Sequence, residues 1–270
     1  MVMGIVNTYN AYDTWAAWHE AGAKLLLRPN WWHMGAVAPH LPLHVAGSFF
    51  KYAQENSMIG FDFDQLLGYW AAQGPYYYLI ARLSVRPEMT VDEVIDEYCK
   101  GFGPASSVIR EYIDFWEDFT MKAAYPIPAG GAVSQDKNGL YEVTAREHNI
   151  NIHPLAGSWF LLPWLYTEEV LEPAYTILAR AKTVSGNDTI VNERIQFLYD
   201  GLVHLEKTRD FIRMDYNPDY YEGEKLRELN SFANDLDAWR NVVDKRHVID
   251  LQQLMRVIPI RNKRTGPEDY

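Results

Sequence analysis

The sequence predicts an α/β segment followed by an all-α region. Two short apolar runs, AKLLLRP (23–29) and MIGFDF (58–63), alternate with helix-periodic stretches in the first 85 residues. Continuous apolar runs of this length mark strands buried on both faces, as in parallel sheets. After Arg86-Pro87 the strand signals stop, and long amphipathic stretches bounded by capping residues take over. The chain therefore divides into 1–85 and 86–270.

The elements follow in order. DTWAAWHEAG (13–22) is helical and Gly22 closes it. AKLLLRP is the first strand, and NWWHMGAVAPHLP (30–42) is a loop. LHVAGSFFKYAQENS (43–57) is a helix, with Val45, Phe49, Tyr52 and Ala53 at i, i+4, i+7 and i+8. MIGFDF is the second strand. DQLLGYWAAQGPYYYLIARL (64–83) is again helical, with a break expected near Gly74-Pro75, because proline removes an N–H and crowds the preceding turn. Strand, helix and strand in this order imply parallel pairing through a right-handed crossover. The loops after the two strands, NWWH and DFDQ, then lie where parallel α/β folds place their ligands.

In the second region, Thr90 and Glu93 form a capping box ahead of VDEVIDEYCK. Gly101 ends that helix, and Gly103-Pro104 opens the next. Residues 124–154, rich in Pro, Gly and Asn, are expected as a long loop, functional or mobile. Helices are expected over roughly 167–184, 188–214 and 219–244, with a short segment near 247–257. Ser185-Gly186-Asn187-Asp188 joins two of them as a C-cap followed by an N-cap. Asn187-Asp188-Thr189 also matches a glycosylation sequon, but capping accounts for it.

Composition narrows the function. A 48% hydrophobic content supports a sizeable core, and a formal net charge of −11 argues against nucleic acid or an anionic membrane as the main partner. The longest apolar runs, such as WFLLPWLY, fall short of the roughly 20 residues that span a bilayer. MVMGIVNTYN carries no signal-peptide pattern, and the compartment stays open. Cys99, the one cysteine, reads as a core filler and makes no intrachain disulfide. His40 and His44 are four apart, but Pro42 lies between them and no carboxylate is obviously near, so no metal site is expected. G-x-S-x-G, P-loop and G-x-G-x-x-G patterns are absent from the sequence, which leaves acyl transfer, phosphoryl transfer and dinucleotide binding without support, and no cofactor is expected.

Asp62 and Asp64 are the sharpest chemical signal. Two apart on an extended strand, they point to one side with Cα atoms about 7 Å apart. Glycoside hydrolysis uses two carboxyl groups about 5–10 Å apart. The same residues also suit holding a sugar hydroxyl or, for Asp64, capping the helix that follows. Aromatics supply the second signal. Trp31 and Trp32, with His33, sit in a strand-end loop, and Tyr69, Trp70 and Gln73 follow the second strand. Their rings suit stacking on the C–H faces of sugars, and equally suit packing inside the protein.

The stretches GFDFDQLLGYWAAQGPYYYLIARLSVRP and TVDEVIDEYCKGFGPASSVIREYIDFWE, with LYTEEVLEPAYTILARAK and NERIQFLYDGL, resemble a bacterial family, the domain of unknown function 4838. The likeness runs from about Ala23 to about Leu205, and W-x-x-Q-G-x-x-Y-Y and G-F-G-P-A carry it. The resemblance implies a glycoside-hydrolase-like protein, a TIM-type barrel followed by a helical domain, distantly similar to α-glucuronidases and β-hexosaminidases. It further implies that 1–85 is the late-strand part of the barrel and 86–270 the helical domain. The principal acid of such enzymes comes from an earlier strand, and no residue here matches it. The chain is thus expected to be a C-terminal portion, completed by a missing N-terminal half or by a second copy. The residues carried over are Asp62 and Asp64 after a late barrel strand, with Trp70 and Gln73 beyond, as a substrate-binding rim. Joined to the reading of the loops and aromatics, the candidates are Asp62 and Asp64 as catalytic residues, with Trp31, Trp32, His33, Tyr69, Trp70 and Gln73 as substrate contacts. The expected partner is a poly- or oligosaccharide. The rival reading is a non-catalytic helical accessory domain that binds glycan or protein.

Overall fold

A computed structural model describes residues 8–29, 37–63, 68–124, 140–149, 161–246 and 248–252. The described part is mostly helical, with two parallel strands. In chain order the elements are α1 (Thr8–Glu20), β1 (Leu25–Leu27), α2 (Leu43–Glu55), β2 (Met58–Phe61), α3 (Trp70–Val85), α4 (Val91–Lys100), α5 (Ser106–Ala124), α6 (Leu140–Glu147), α7 (Leu162–Leu165), α8 (Glu168–Ser185), α9 (Thr189–Asp215) and α10 (Gly223–Asp244). Single 3-10 turns at Gly103–Ala105 and Pro218–Tyr221 lead into α5 and α10.

The local signals act as chemistry demands. Thr90 Oγ1 accepts the Glu93 amide while the Glu93 carboxylate accepts the Thr90 amide, so two orphan donors at the start of α4 are satisfied at once. Asp188 caps α9 through the Val191 amide. Cys99 is buried, and burial pushes its thiol up to about 12.

Three expectations are corrected. The helix does not break at Gly74-Pro75. Pro75 falls within the second turn of α3, where its missing N–H costs one intrahelical hydrogen bond, to the Ala71 carbonyl, and α3 nonetheless continues to Val85. The stretch 124–154 is not all loop, because LYEVTARE folds as α6. Its apolar periodicity is short and lies among Gly- and Asn-rich residues that hide it. The strands are also not buried on both faces. β1 and β2 pair in parallel, Leu26 opposite Gly60 and Leu27 opposite Phe61, yet Leu26 is 58% exposed and Ile59 68% exposed.

The core is one hydrophobic cluster that runs from Ala11 to Ile249. Helix α2 packs on α3 and β2, α3 on α4 and α9, α5 on α8, α8 on α9, and α9 on α10. Helix α3 therefore joins the sheet segment to the helical block. It approaches α9 so closely that a Cβ at Gly201 would lie 2.7 Å from the Ala71 Cβ. Among the described residues, no helix is long and apolar enough to cross a membrane.

Candidate functional site

The C-terminal ends of the two strands lie side by side. The Asp62 amide donates to the Leu27 carbonyl at 2.9 Å, extending the ladder one residue past β2. That places Arg28 beside Asp62, and Arg28 Nε donates to Asp62 Oδ2 at 3.0 Å. Both side chains are more than half exposed, so the pair adds only about 0–1 kcal/mol to stability. Its value is positional: it fixes a carboxylate and a guanidinium together, open to solvent. Phe61 and Phe63, with ring centroids 5.5 Å apart, flank Asp62 in sequence, and Phe61 also meets Phe50 of α2.

The aromatic helix that follows splits into two faces. Trp70 is 40% exposed, and Tyr77 holds it edge-on at 5.0 Å. Tyr77 in turn donates its hydroxyl to Gln73 Oε1 at 3.2 Å. Gln73 and Tyr69 are each 1% exposed. Tyr69 could stack on a ligand only by leaving its present packing. Burial pushes its hydroxyl above the ordinary tyrosine range, and that hydroxyl has no hydrogen-bond partner among the described residues. An unsatisfied buried hydroxyl costs about 1–3 kcal/mol. Trp31, Trp32, His33 and Asp64 lie outside the described residues.

Beneath Tyr69 is a polar cluster that spans helices. Arg240 of α10 donates through Nε to His204 Nε2 at 3.0 Å and through Nη2 to Thr208 Oγ1 at 3.2 Å. The acceptor role fixes the His204 proton on Nδ1 and keeps the ring neutral. Burial and then Arg240 push His204 well below its ordinary value, and Trp239 stacks on its ring at 5.7 Å. Burial lowers Arg240 to about 10, against the opposing pull of Tyr69 and Asp237.

No family model, curated protein or solved structure matches this chain.

A third polar group corrects the reading of the histidines. Carboxylates do lie near His44: Glu117 Oε2 at 2.8 Å from Nδ1 and Asp92 Oδ1 at 3.4 Å from Nε2. They arrive from α5 and α4, 73 and 48 residues away, which spacing along the chain does not reveal. Among the described residues, no cluster of three or more His, Cys, Asp or Glu is arranged to hold a metal. His40 is fully enclosed, and burial brings it down to about 4.

Sequence reasoning missed Arg28, His204 and Arg240. Arg28 was open to discovery, because it stands one residue after the LLL strand just as Asp62 follows MIGF. His204 and Arg240 had a weaker signal, each a polar residue on the apolar stripe of a long helix.

Proposed function

We propose that this chain supplies the saccharide-contacting rim of a glycoside-hydrolase-like protein. The observation that carries the reading is the solvent-open Arg28–Asp62 pair at the adjoining C-terminal ends of two parallel strands. Ligands of parallel α/β folds gather at such strand ends. Asp62 accepts sugar hydroxyls there, Arg28 donates to ring or glycosidic oxygens, and the exposed face of Trp70 stacks on a sugar ring. Asp64, Trp31, Trp32 and His33 complete the rim on this reading, while Tyr69 and Gln73 position Trp70 from below through Tyr77.

In the same proposal, β1 and β2 are late staves of a TIM-type barrel. Exposed Leu26 and Ile59 support it, since parallel strands are covered on both faces when the sheet is complete. Hydrolysis then requires a carboxylic acid from the completing half, with Asp62 or Asp64 as the second group. The rival reading, a non-catalytic glycan-binding unit, draws support from Asp62. Among the described residues it is the lone carboxylate following the strands, and Arg28 already holds one of its oxygens.

Calorimetry and turnover on a panel of uronic-acid, fucose and hexosamine glycosides test the proposal. Asp62→Asn is expected to weaken binding at least tenfold, because a sugar hydroxyl and Arg28 both lose a charged acceptor. Turnover by the chain joined to its completing half, lost in Asp62→Asn beyond the tenfold loss of binding, favours the enzyme. Weakened binding in Asp62→Asn with no turnover by the completed protein in either form favours the accessory unit. No binding and no hydrolysis by the wild-type chain defeats both.

A further inference from the structure

The first turn of α3 holds a second, unassigned feature. Its N-cap residue, Tyr69, contributes no side-chain cap, and no acidic residue stands in the turn. The Ala71 amide is instead satisfied from far along the chain, by the Val248 carbonyl at 3.2 Å. Two residues on, the Asp250 amide donates to the Gly68 carbonyl at 2.9 Å. Residues 248–251 thus lie across the entrance to α3 as a strap. The strap is pinned at one end by the Leu251 amide to Asp244 Oδ1 at 3.0 Å. It sits so near that a Cβ on Gly68 would come within 2.2 Å of the Asp250 Cβ, and Gly68 has φ +71°, a conformation other residues rarely adopt.

Under the strap lies a crevice too narrow for a water molecule, with Tyr69, Ala71, Gly201, His204, Val248 and Ile249 among its lining residues. Its notable atom is the Tyr69 hydroxyl, on a residue 1% exposed and with no hydrogen-bond partner among the described residues. Two donors therefore belong to residues that line one crevice at the helix entrance. One, the Ala71 N–H, is taken by a carbonyl of the chain itself, and the other, Tyr69 O–H, is unused. The positive end of a helix dipole adds to both. A carbonyl oxygen is a weak stand-in for the ligand such a place suits best, an oxygen anion that accepts two hydrogen bonds.

We propose that the first turn of α3 is a carboxylate-binding site, and that the strap 248–251 closes it by occupying the Ala71 amide. The bound carboxylate accepts from Ala71 N–H and from Tyr69 O–H once the strap lifts. The site shares the first turn of α3 with Trp70 of the rim, but its two donors, Ala71 N–H and Tyr69 O–H, are not the Arg28–Asp62 pair, so a test at Asp62 tells the two apart.

The test uses the full chain with galacturonate as the probe and galactose, the same ring without a carboxylate, as the control. Amide exchange at Ala71 by NMR reports whether the strap is seated. Gly68→Ala is expected to unseat it, speed Ala71 exchange and tighten galacturonate binding at least tenfold, with galactose unchanged. Adding Tyr69→Phe is expected to abolish that gain. Asp244→Ala, which cuts the pin on Leu251 and leaves the α3 entrance untouched, serves if Gly68→Ala fails to fold. Three results overturn the proposal: faster Ala71 exchange with unchanged galacturonate affinity, an equal gain for galactose, or unchanged Ala71 exchange in both variants. Asp62→Asn in the same assay leaves the galacturonate gain intact if the two sites are distinct, and removes it if the probe binds at the rim instead.

Discussion

In the helical block, the Trp116 indole is fully buried and meets the rings of Tyr112, Phe115, Phe119 and Tyr166 at centroid distances of 5.0 to 6.3 Å. In the sheet, Ile59 lies open on a strand of four residues, and Leu26 lies open on a strand of three. Apolar residues of similar hydrophobicity are thus handled in opposite ways. The difference follows from how each region closes. Antiparallel and crossing helices satisfy their own backbone and need cover on one stripe, which α5, α8, α9 and α10 give each other. A parallel sheet needs cover on both faces and a partner at each edge, and two short strands rarely provide enough for themselves. The helical block therefore closes on itself, while the sheet segment leaves apolar and charged side chains open to solvent.

The largest expected effect tests the first half of that contrast. Trp116→Ala is expected to cost about 3–5 kcal/mol, because an indole-sized cavity cannot collapse among four rings. Urea unfolding followed by circular dichroism measures it. A loss below about 1 kcal/mol would mean the block is loosely packed and the contrast is false.

The same contrast explains what the sequence disclosed. Thr90 and Glu93, Gly22 and Asp188 were legible because each satisfies backbone groups within four residues of itself. The existence of β1 and β2 was legible from LLL and MIGF, but their exposure was not, since an apolar run states that cover is wanted and not whether it is present. Around the candidate site, Asp62 and Trp70 are exposed, whereas Tyr69 and Gln73 face inward. A run such as GYWAAQGPYYY has aromatics on every side of the helix, so periodicity cannot choose the wet face. Arg28, His204 and Arg240 act through partners 32 to 36 residues away, a distance that no local pattern encodes.

An intermediate effect tests the seam between the regions. His44 belongs to α2, and its ring nitrogens meet Glu117 of α5 and Asp92 of α4, while Arg110 also holds Asp92. The hydrogen bond to Glu117 raises the His44 pKa, partial burial opposes it, and the charges of Glu117 and Asp92 add to the rise. Arg110 keeps Asp92 below the ordinary carboxylate range, so the anion persists where His44 titrates. With the folded pKa raised, the protonated pair stabilises fully below the unfolded value of about 6.5. That contribution is lost as pH rises through the folded pKa, which lies above it. His44 is 45% exposed, so solvent screening keeps the contribution below about 1 kcal/mol. Urea midpoints at pH 6 and pH 9 are expected to differ more in wild type than in His44→Gln. Equal differences would show that the seam is not electrostatic.

The smallest expected effect bears on the sheet, and there a near-zero result is the informative one. Ile59→Thr keeps a β-branched side chain, so strand propensity is largely unchanged. With Ile59 68% exposed, little apolar area is withdrawn from water on folding, and the stability change is expected to stay within about 0.5 kcal/mol. Leu27 of the neighbouring strand, opposite Phe61, is 1% exposed and supplies the contrast: Leu27→Ala is expected to cost about 2–5 kcal/mol. Both are measured by urea unfolding at two protein concentrations tenfold apart. If Ile59→Thr costs as much as Leu27→Ala, and the cost grows with concentration, another copy of the chain covers the face in solution. The sheet would then be as closed as the helical block, and the asymmetry between them would be a property of the isolated chain alone.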